Sequence, residues 1–458
     1  MYRKITGSAL TVVFLMLTAC TMGPAYVRPD TAPPQAWNGV ENAALKKGAW
    51  PEQTWWKTFS VPDLDALMET AVTRNFDIKA AVARVDQARS LERIAGANLF
   101  PGISAGFGAG LDKTGSGKAT ASHSLNATLS YELDIWGKNS SLNEAAAAAR
   151  LGSIYDMRSV VVTLTTEVAS LYFKALALND RHEILGKTVE DEARLLVIME
   201  KRRQLGDISG LELAQASQYL ASLRAQVPQV EQQRKLAEHG LALLTCRNLG
   251  EVGVAGSLAM VTIPATIPVG IPSGLLERRP DIRKAEADLM AANADIGTAK
   301  AALFPAIRLT MKGGYAGEEL LKLINPANAF YSIGGDILAT VFNREKLTAE
   351  HDRTTARQQE LLFNYRKAVL SAFREVADAL IALQKLEEQE QLLDGSLTLA
   401  ERAYTISEIR YRQGLTDFTT LLTADKSRLE ARNNRLQTRL DRLGAMTSLY
   451  KALGGGWS

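Results

Sequence analysis

The sequence predicts a mainly α-helical chain that also carries strands of a membrane β-barrel, built as a two-fold internal repeat of long helix, β-hairpin and long helix. Three observations predict it. The first is a repeat. LLERRPDIRKAEADLMAANADIGTAKAALFPAI (275–307) falls without a gap on the stretch 204 positions earlier, Asp281 on Asp77, Ala285 on Ala81 and Leu303-Phe304-Pro305 on Leu99-Phe100-Pro101. An Ala-rich helical pattern that meets a proline and turns into alternation, present twice, is a repeated helix-to-strand unit. The second is that alternation. Leu125, Ala127, Leu129, Tyr131, Leu133 and Ile135 alternate with Ser124, Asn126, Thr128, Ser130, Glu132 and Asp134, a strand with one apolar and one polar face. The third is length. Residues 138–205 and 344–413 contain no proline, and runs of roughly 65 to 70 residues give helices about 100 Å long at 1.5 Å per residue.

The N-terminus reads as a targeting segment, residues 1–19. Arg3 and Lys4 flank the apolar run Ala9–Leu17, which is too short to cross a bilayer. Leu17-Thr18-Ala19-Cys20 resembles the bacterial lipobox, which implies that Cys20 becomes the first residue and carries diacylglycerol and an amide-linked acyl chain. The alternative is an ordinary secretory signal whose cleavage site contains a cysteine. Several acyl chains anchor stably, since each buried CH2 contributes about 0.8 kcal/mol. Thr21 follows, not the Asp that favours inner-membrane retention in such lipoproteins, so the expected address is the outer membrane of a Gram-negative cell.

Residues 20–62 are rich in Pro and Trp and without period, and are expected to wander over a surface. The first repeat is expected over 63–246. Asp63 caps a helix that Pro101 ends, strands follow at about 102–112 and 124–135, then a helix at about 138–205. Gly206 turns the chain into a helix at about 211–246, with a kink at Pro228. Residues 247–274, with Pro264, Pro268 and Pro272, connect the halves. The second repeat, 275–458, places strands at about 306–315 and 331–341, a helix at about 344–413, the turn glycine Gly414 and a helix at about 417–453. Leu361, Tyr365, Val369, Phe373, Val376, Leu380 and Leu383 form a seam with the spacing of a coiled coil.

Four strands per chain make an open sheet. In hydrocarbon every backbone donor and acceptor must be paired, so only a closed barrel can stand there. One chain is too few, and three would give twelve strands around a water-filled interior. Glu132, Asp134, Arg308 and Lys312 are then expected to line the lumen. The alternative is a small soluble β-domain packed on the helices.

These residues resemble the TolC-type outer-membrane efflux channels, in their OprM/NodT-like lipoprotein branch. The likeness is carried by Trp55-Trp56-Lys57-Thr58-Phe59 with Leu64, SYELDIWGK (130–138), RRPDIRKAE, FPAI, both glycine turns and the terminal Leu453-Gly454-Gly455-Gly456-Trp457. It implies a homotrimer with a shared 12-stranded barrel on a 12-helix periplasmic tunnel, with residues 20–62 and 247–274 in its equatorial region. It implies docking to a periplasmic adaptor and an inner-membrane pump that supplies the energy, for export of small molecules such as drugs. The outer-membrane component of a type I protein secretion system is the alternative. Family members lock the periplasmic end by tying a tyrosine three before the second glycine to a carboxylate six after the first. Here those are Tyr411 and Glu212, with Arg410 beside them, and breaking the tie is expected to raise conductance. A surface ion pair is the plainer reading. Many relatives read LLDA after the second glycine; this chain has Leu421-Leu422-Thr423-Ala424. Thr423 and Thr419 therefore stand where an acidic ring is expected, with Asp417 and Asp425 nearby.

Other classes are poorly supported. Basic and acidic residues number 53 and 50, with no basic patch interleaved with aromatics, so no nucleic-acid partner is expected. His123, His182, His239 and His351 lack metal-pair spacing, and GSGK at 115–118 lacks the leading glycine and the hydroxyl residue of a phosphate loop. No catalytic site, metal or cofactor beyond the Cys20 lipid is expected. Cys20 and Cys246 are the only cysteines, which leaves no disulfide framework. A soluble periplasmic coiled-coil scaffold is the remaining rival, permitted by the helices but not by the strands.

Overall fold

The computed structural model describes residues 22–34, 37, 45–46, 50–113, 115, 117–264 and 267–455. Cys20, the leader and Trp457 lie outside them. In chain order the elements are β1 (Leu45–Lys46), α1 (Pro62–Arg74), α2 (Phe76–Ala97), β2 (Gly102–Asp112), β3 (Thr120–Leu133), α3 (Lys138–Gln204), α4 (Gly210–Leu244), β4 (Ile267–Pro268), α5 (Pro272–Arg278), α6 (Pro280–Ala301), β5 (Ala306–Gly317), β6 (Ala329–Leu338), α7 (Arg344–Arg412) and α8 (Phe418–Ala452). The chain forms two compact units. One comprises Met1–Thr31, Val82–Tyr155 and Arg283–Ala368; the other Ala32–Ala81, Asp156–Ile282 and Val369–Ser458.

Local chemistry corrects two sequence expectations at the start of the first repeat. Asp63 does not cap α1: the cap position is Val61, Pro62 stands first in the helix, and Asp63 and Asp65 fill the first turn. Proline suits that place because its missing N–H would be unpaired there anyway. Nor is there one helix over 63–100. Asn75 breaks it, its Oδ1 accepting from the N–H of Asp77 (2.8 Å) and Ile78 (3.2 Å) to start α2, as a capping asparagine does. Arg279 and Pro280 make the same break between α5 and α6. α4, by contrast, runs on through Pro228.

The first unit holds a four-stranded antiparallel sheet in the order β2-β3-β5-β6. Its register aligns the two faces across every strand. Phe107 pairs with Leu125 and Leu125 with Tyr315, while Leu129 pairs with Met311 and Met311 with Ile333. The apolar row is left uncovered by the chain: Phe107 is 60%, Met311 48% and Ile333 72% exposed. The opposite face carries Glu132 opposite Arg308 and Arg308 opposite Asp336, with Thr128 opposite Lys312. Among the described residues β2 and β6 have no second neighbour in the sheet. At Gly314 a Cβ would lie 2.0 Å from the Leu125 carbonyl oxygen, so only glycine lets β3 and β5 close there. Gly314→Val is therefore expected to abolish detergent-resistant oligomers in the membrane fraction, read by unheated gel electrophoresis; normal oligomer yield would contradict the register.

At the foot of the sheet Trp136 stacks on Phe304 (4.9 Å) and donates from Nε1 to the Pro305 carbonyl (2.8 Å). The N-terminal segment follows α6 to this point. Arg28 pairs with Glu286 (3.0 Å), Asn293 Nδ2 donates to the Pro24 carbonyl (2.7 Å), and the Met22 N–H donates to the Trp136 carbonyl (3.3 Å). It thus lies in a defined track, not loosely on a surface.

The second unit is helical, with β1 and β4 paired in parallel. The Trp-rich segment expected to wander supplies its core instead: Trp55 and Phe59 are 1% and 0% exposed. Trp55 stacks on Tyr450 (4.7 Å) and Phe59 meets Phe173 edge-on (5.0 Å). Large aromatic rings gain most by leaving water, and apolar periodicity cannot register a buried turn this short. The RRPDI motif has a structural reason. Arg279, buried, holds Asp281 with two nitrogens (2.9 and 2.6 Å), Glu375 (2.7 Å) and the Ala452 carbonyl (3.1 Å). An 18-residue stretch of α3 is long and apolar enough to cross a membrane, but 61% of it is buried within the protein, as befits a core helix. In the α7 seam Tyr365, Val369, Val376 and Leu380 are buried, and Leu361, Phe373 and Leu383 half-buried.

Candidate functional site

The second unit ends in two turns built alike. Gly206 and Gly414 adopt φ of +86° and +73°, which only glycine takes without strain. At the first turn Asp207 N–H donates to Arg202 and Gly206 N–H to Arg203; at the second, Leu415 donates to Arg410 and Gly414 to Tyr411. This is the Schellman arrangement, repeated in both halves. Each turn leads into a capped helix. Ser209 and Glu212 form a reciprocal capping box at α4, and Asp417 accepts from the Thr420 N–H at α8 (2.8 Å).

Between the turns sits a small core of Met199, Ile208, Ala216, Tyr411, Phe418 and Leu421. Tyr411 belongs to it. Its ring meets Phe418 (5.9 Å) and lies under the Arg202 guanidinium (5.5 Å), and its buried hydroxyl has no hydrogen-bond partner among the described residues. The expected Tyr411–Glu212 bond is not made, because Glu212 is committed to its own helix start. Arg410, exposed, donates to the Leu415 carbonyl (3.4 Å). With no bond to break, Tyr411→Phe is expected to leave single-channel conductance unchanged and to raise thermal stability by about 1 kcal/mol, since an unpaired buried hydroxyl is a cost. A rise in conductance would restore the lock.

The acidic-ring position is occupied as the sequence says. Thr423 and Thr419 are exposed, the Thr423 hydroxyl donating to the Thr419 carbonyl (2.8 Å). Neither neighbouring carboxylate substitutes for a ring. Asp417 is spent as a cap, and its bond from Thr420 holds its carboxyl below the ordinary range. Asp425 is 1% exposed and turned inward, accepting from the Tyr219 hydroxyl (2.9 Å) and paired with Arg428.

Arg428 opens a feature the sequence reading missed. Arg428, Arg432, Arg435, Arg439 and Arg442 recur along α8 at alternating four- and three-residue steps, the spacing of a coiled-coil seam but filled with charge. Each meets α7. Arg428 covers the Tyr404 ring (3.4 Å), Arg432 pairs with Glu401 (2.8 Å), Arg435 with Asp394, Arg439 with Glu390 (3.2 Å) and Arg442 with Glu390 and Glu387 (2.9 and 2.7 Å). The heptad spacing of Arg alone could have revealed it; the partners could not.

In the first unit, Glu132 lies between Lys138 (2.9 Å) and Arg308 (3.6 Å). Lys312 shares that face, with its ammonium near the Phe330 ring (5.8 Å). Asp134 does not belong to this row. It lies beyond β3 and caps α3, accepting from the N–H of Asn139 (2.8 Å) and Ser140 (2.7 Å).

A family model described as outer membrane efflux protein matches residues 67–247 and 271–455. The chain belongs to that family. It is 37% identical to the pyoverdine export outer membrane protein OpmQ of Pseudomonas aeruginosa over 456 residues, 97% of this chain and 95% of that protein. It is 31% identical to the cation efflux system protein CusC of Escherichia coli, with 97% of each covered. Among solved structures it superposes on the outer-membrane channel OprN with a TM-score of 0.90 at 28% identity, covering 96% of this chain and all of that one. The open four-stranded sheet and the long helices are therefore parts of the family's β-barrel and α-barrel. The chain is an outer-membrane efflux channel of a Gram-negative bacterium that reaches into the periplasm.

Proposed function

We propose that three copies of the chain close one passive duct, lipid-anchored at Cys20, which carries small molecules outward with a periplasmic adaptor and an inner-membrane pump. The observation that carries this is the sheet with two bare edges and one apolar face. β6 of one copy joined to β2 of the next pairs every edge, which hydrocarbon demands. Twelve strands enclose a lumen wide enough for water.

Support for the anchor comes from the N-terminal track. Met22, the second residue after Cys20 in the sequence, is tied to the Trp136 carbonyl beside the Trp136–Phe304 stack. Such aromatic pairs mark the membrane interface of barrels. Small cargo is favoured over a secreted protein by the relatives' names, one a pyoverdine exporter and one a cation efflux protein. The polar face mixes Glu132 and Asp336 with Arg308 and Lys312, which selects little by charge and leaves the choice of cargo to the pump.

Planar-bilayer recording of the purified protein tests the duct. Steady conductance is expected, with only weak block by Mg2+, because Thr423 and Thr419 replace the carboxylate ring and Asp417 and Asp425 are engaged elsewhere. Absence of conductance, or strong block that survives removal of both aspartates, contradicts the reading. Export in a deletion strain that retains adaptor and pump then tests the assembly.

A further inference from the structure

One buried carboxylate of the helices that end in the two glycine turns takes no part in the caps, the small core or the arginine row. Glu192 of α3 is 5% exposed and makes no hydrogen bond or ion pair among the described residues. It faces a node drawn from all four helices of this end. α8 contributes Asp425 and Arg428, α4 Tyr219, and α7 Tyr404 and Glu408, while Asp191 stands beside it on α3. The node's one buried cation is already spent. Arg428 pairs with Asp425 and covers Tyr404, and Tyr219 donates to the other Asp425 oxygen. Asp191 and Glu408 pair outward, with Arg194 and with Arg412.

A second buried carboxylate beside an occupied arginine is a charge without a partner, which packed helices hold at least cost in neutral form. We propose that Glu192 is a proton-held latch on this end of the duct: protonated, it lets α3 pack against α4, α7 and α8; ionised, it drives α3 away from Asp425 and loosens the four-helix end. The inference rests on the reading of this end as the periplasmic mouth of the channel.

Burial first, and the Asp425 charge second, push the Glu192 carboxyl up to about 7. Once the end loosens, water returns the group toward about 4.3, the value of a solvated glutamate. The packed form therefore holds the extra proton between those two values. The latch is fully closed below about pH 4 and weakens through the interval. Above about pH 7 both forms are ionised and pH no longer acts on it. One proton gives at most about a tenfold change in the loosened-to-packed ratio per pH unit.

Hydrogen–deuterium exchange of the full-length protein in detergent tests this at pH 5, 6, 7 and 8. After correction for intrinsic base catalysis, amides around Glu192 and Asp425 are expected to lose protection up to tenfold per unit between pH 5 and 7, then no further. Glu192→Gln, which keeps the shape of the neutral acid, is expected to stay protected throughout. Asp425→Asn removes the charge that Glu192 faces, and its transition is expected at lower pH. It also serves should the Gln variant not assemble. The same pH slope in Glu192→Gln, or an unmoved transition in Asp425→Asn, overturns the latch. Bilayer conductance of the wild type is recorded in parallel. Its absence at every pH refutes the channel reading, whereas the exchange data judge the latch independently.

Discussion

Arg279→Ala is expected to destabilise the protein by about 1.5–3 kcal/mol, the range of hydrogen bonds to charged groups, because Arg279 is buried while its carboxylate partners stay 47% and 42% exposed. Arg279 is 8% exposed at its side chain and meets Asp281 and Glu375. It also caps the C-terminal end of α8 through the Ala452 carbonyl. Its loss removes at one point the shared partner of two carboxylates and a helix-end carbonyl. Arg279→Lys keeps the charge but not the planar fork, so a smaller loss is expected. The pH dependence has a definite sign. Burial alone would raise the Asp281 carboxyl, but the Arg279 bonds and charge outweigh it and hold it below its ordinary value. The pair therefore stabilises the protein above about pH 4, the unfolded value, and the contribution is lost as pH falls through the lowered one. In Arg279→Ala that acid-side loss should vanish, because the low value no longer exists. Thermal and acid unfolding in detergent measure both effects. A cost below about 1 kcal/mol, the range of an exposed pair, would show that the cluster is not holding the repeat junction.

The second large effect is on assembly. Met311 and Thr310 are neighbours on β5 that face opposite sides of the sheet, Met311 among Leu129 and Ile333, Thr310 among Ser130 and Gly334. Met311→Lys is expected to cost about 2–4 kcal/mol per chain near the bilayer midplane, repeated in every copy of a shared barrel. The proposed trimer should disappear from the outer membrane. Thr310→Lys, one residue away, should assemble normally and shift ion selectivity toward anions. Unheated gel electrophoresis of membrane fractions and reversal potentials in bilayers distinguish the two. Equal tolerance of both lysines would mean that the apolar face does not meet lipid.

The contrast between these sites shows which parts of the molecule are local. The repeat, the alternating strands, the long helices and the glycine turns are legible because each is written at short range. Period two puts every second side chain on one face, and a glycine at positive φ needs no distant partner. The Ser209–Glu212 capping box is equally local, and its S-x-x-E spacing was there to be read. The Tyr411–Glu212 tie is a different case. It pairs two residues by their distance from two turns, and each turned out to have a nearer use, one in a helix cap and one in a small apolar core.

What the sequence determined by itself, then, is the repeated plan, the fold class and the outer-membrane channel. A four-stranded amphipathic sheet placed in lipid must close; alternation alone also allowed a soluble β-domain, and it was the motifs' resemblance to the efflux channels that pointed to the membrane. Only the tertiary structure decided which polar groups are spent and which remain. It committed Asp134 and Asp417 to helix caps, turned Asp425 inward to Arg428, set five arginines of α8 against α7, and left Glu192 buried without a partner among the described residues. The reason is physical. A carboxylate looks the same in any sequence, and its charge state and role follow from neighbours brought by other helices, from the water they exclude and from the cations already taken.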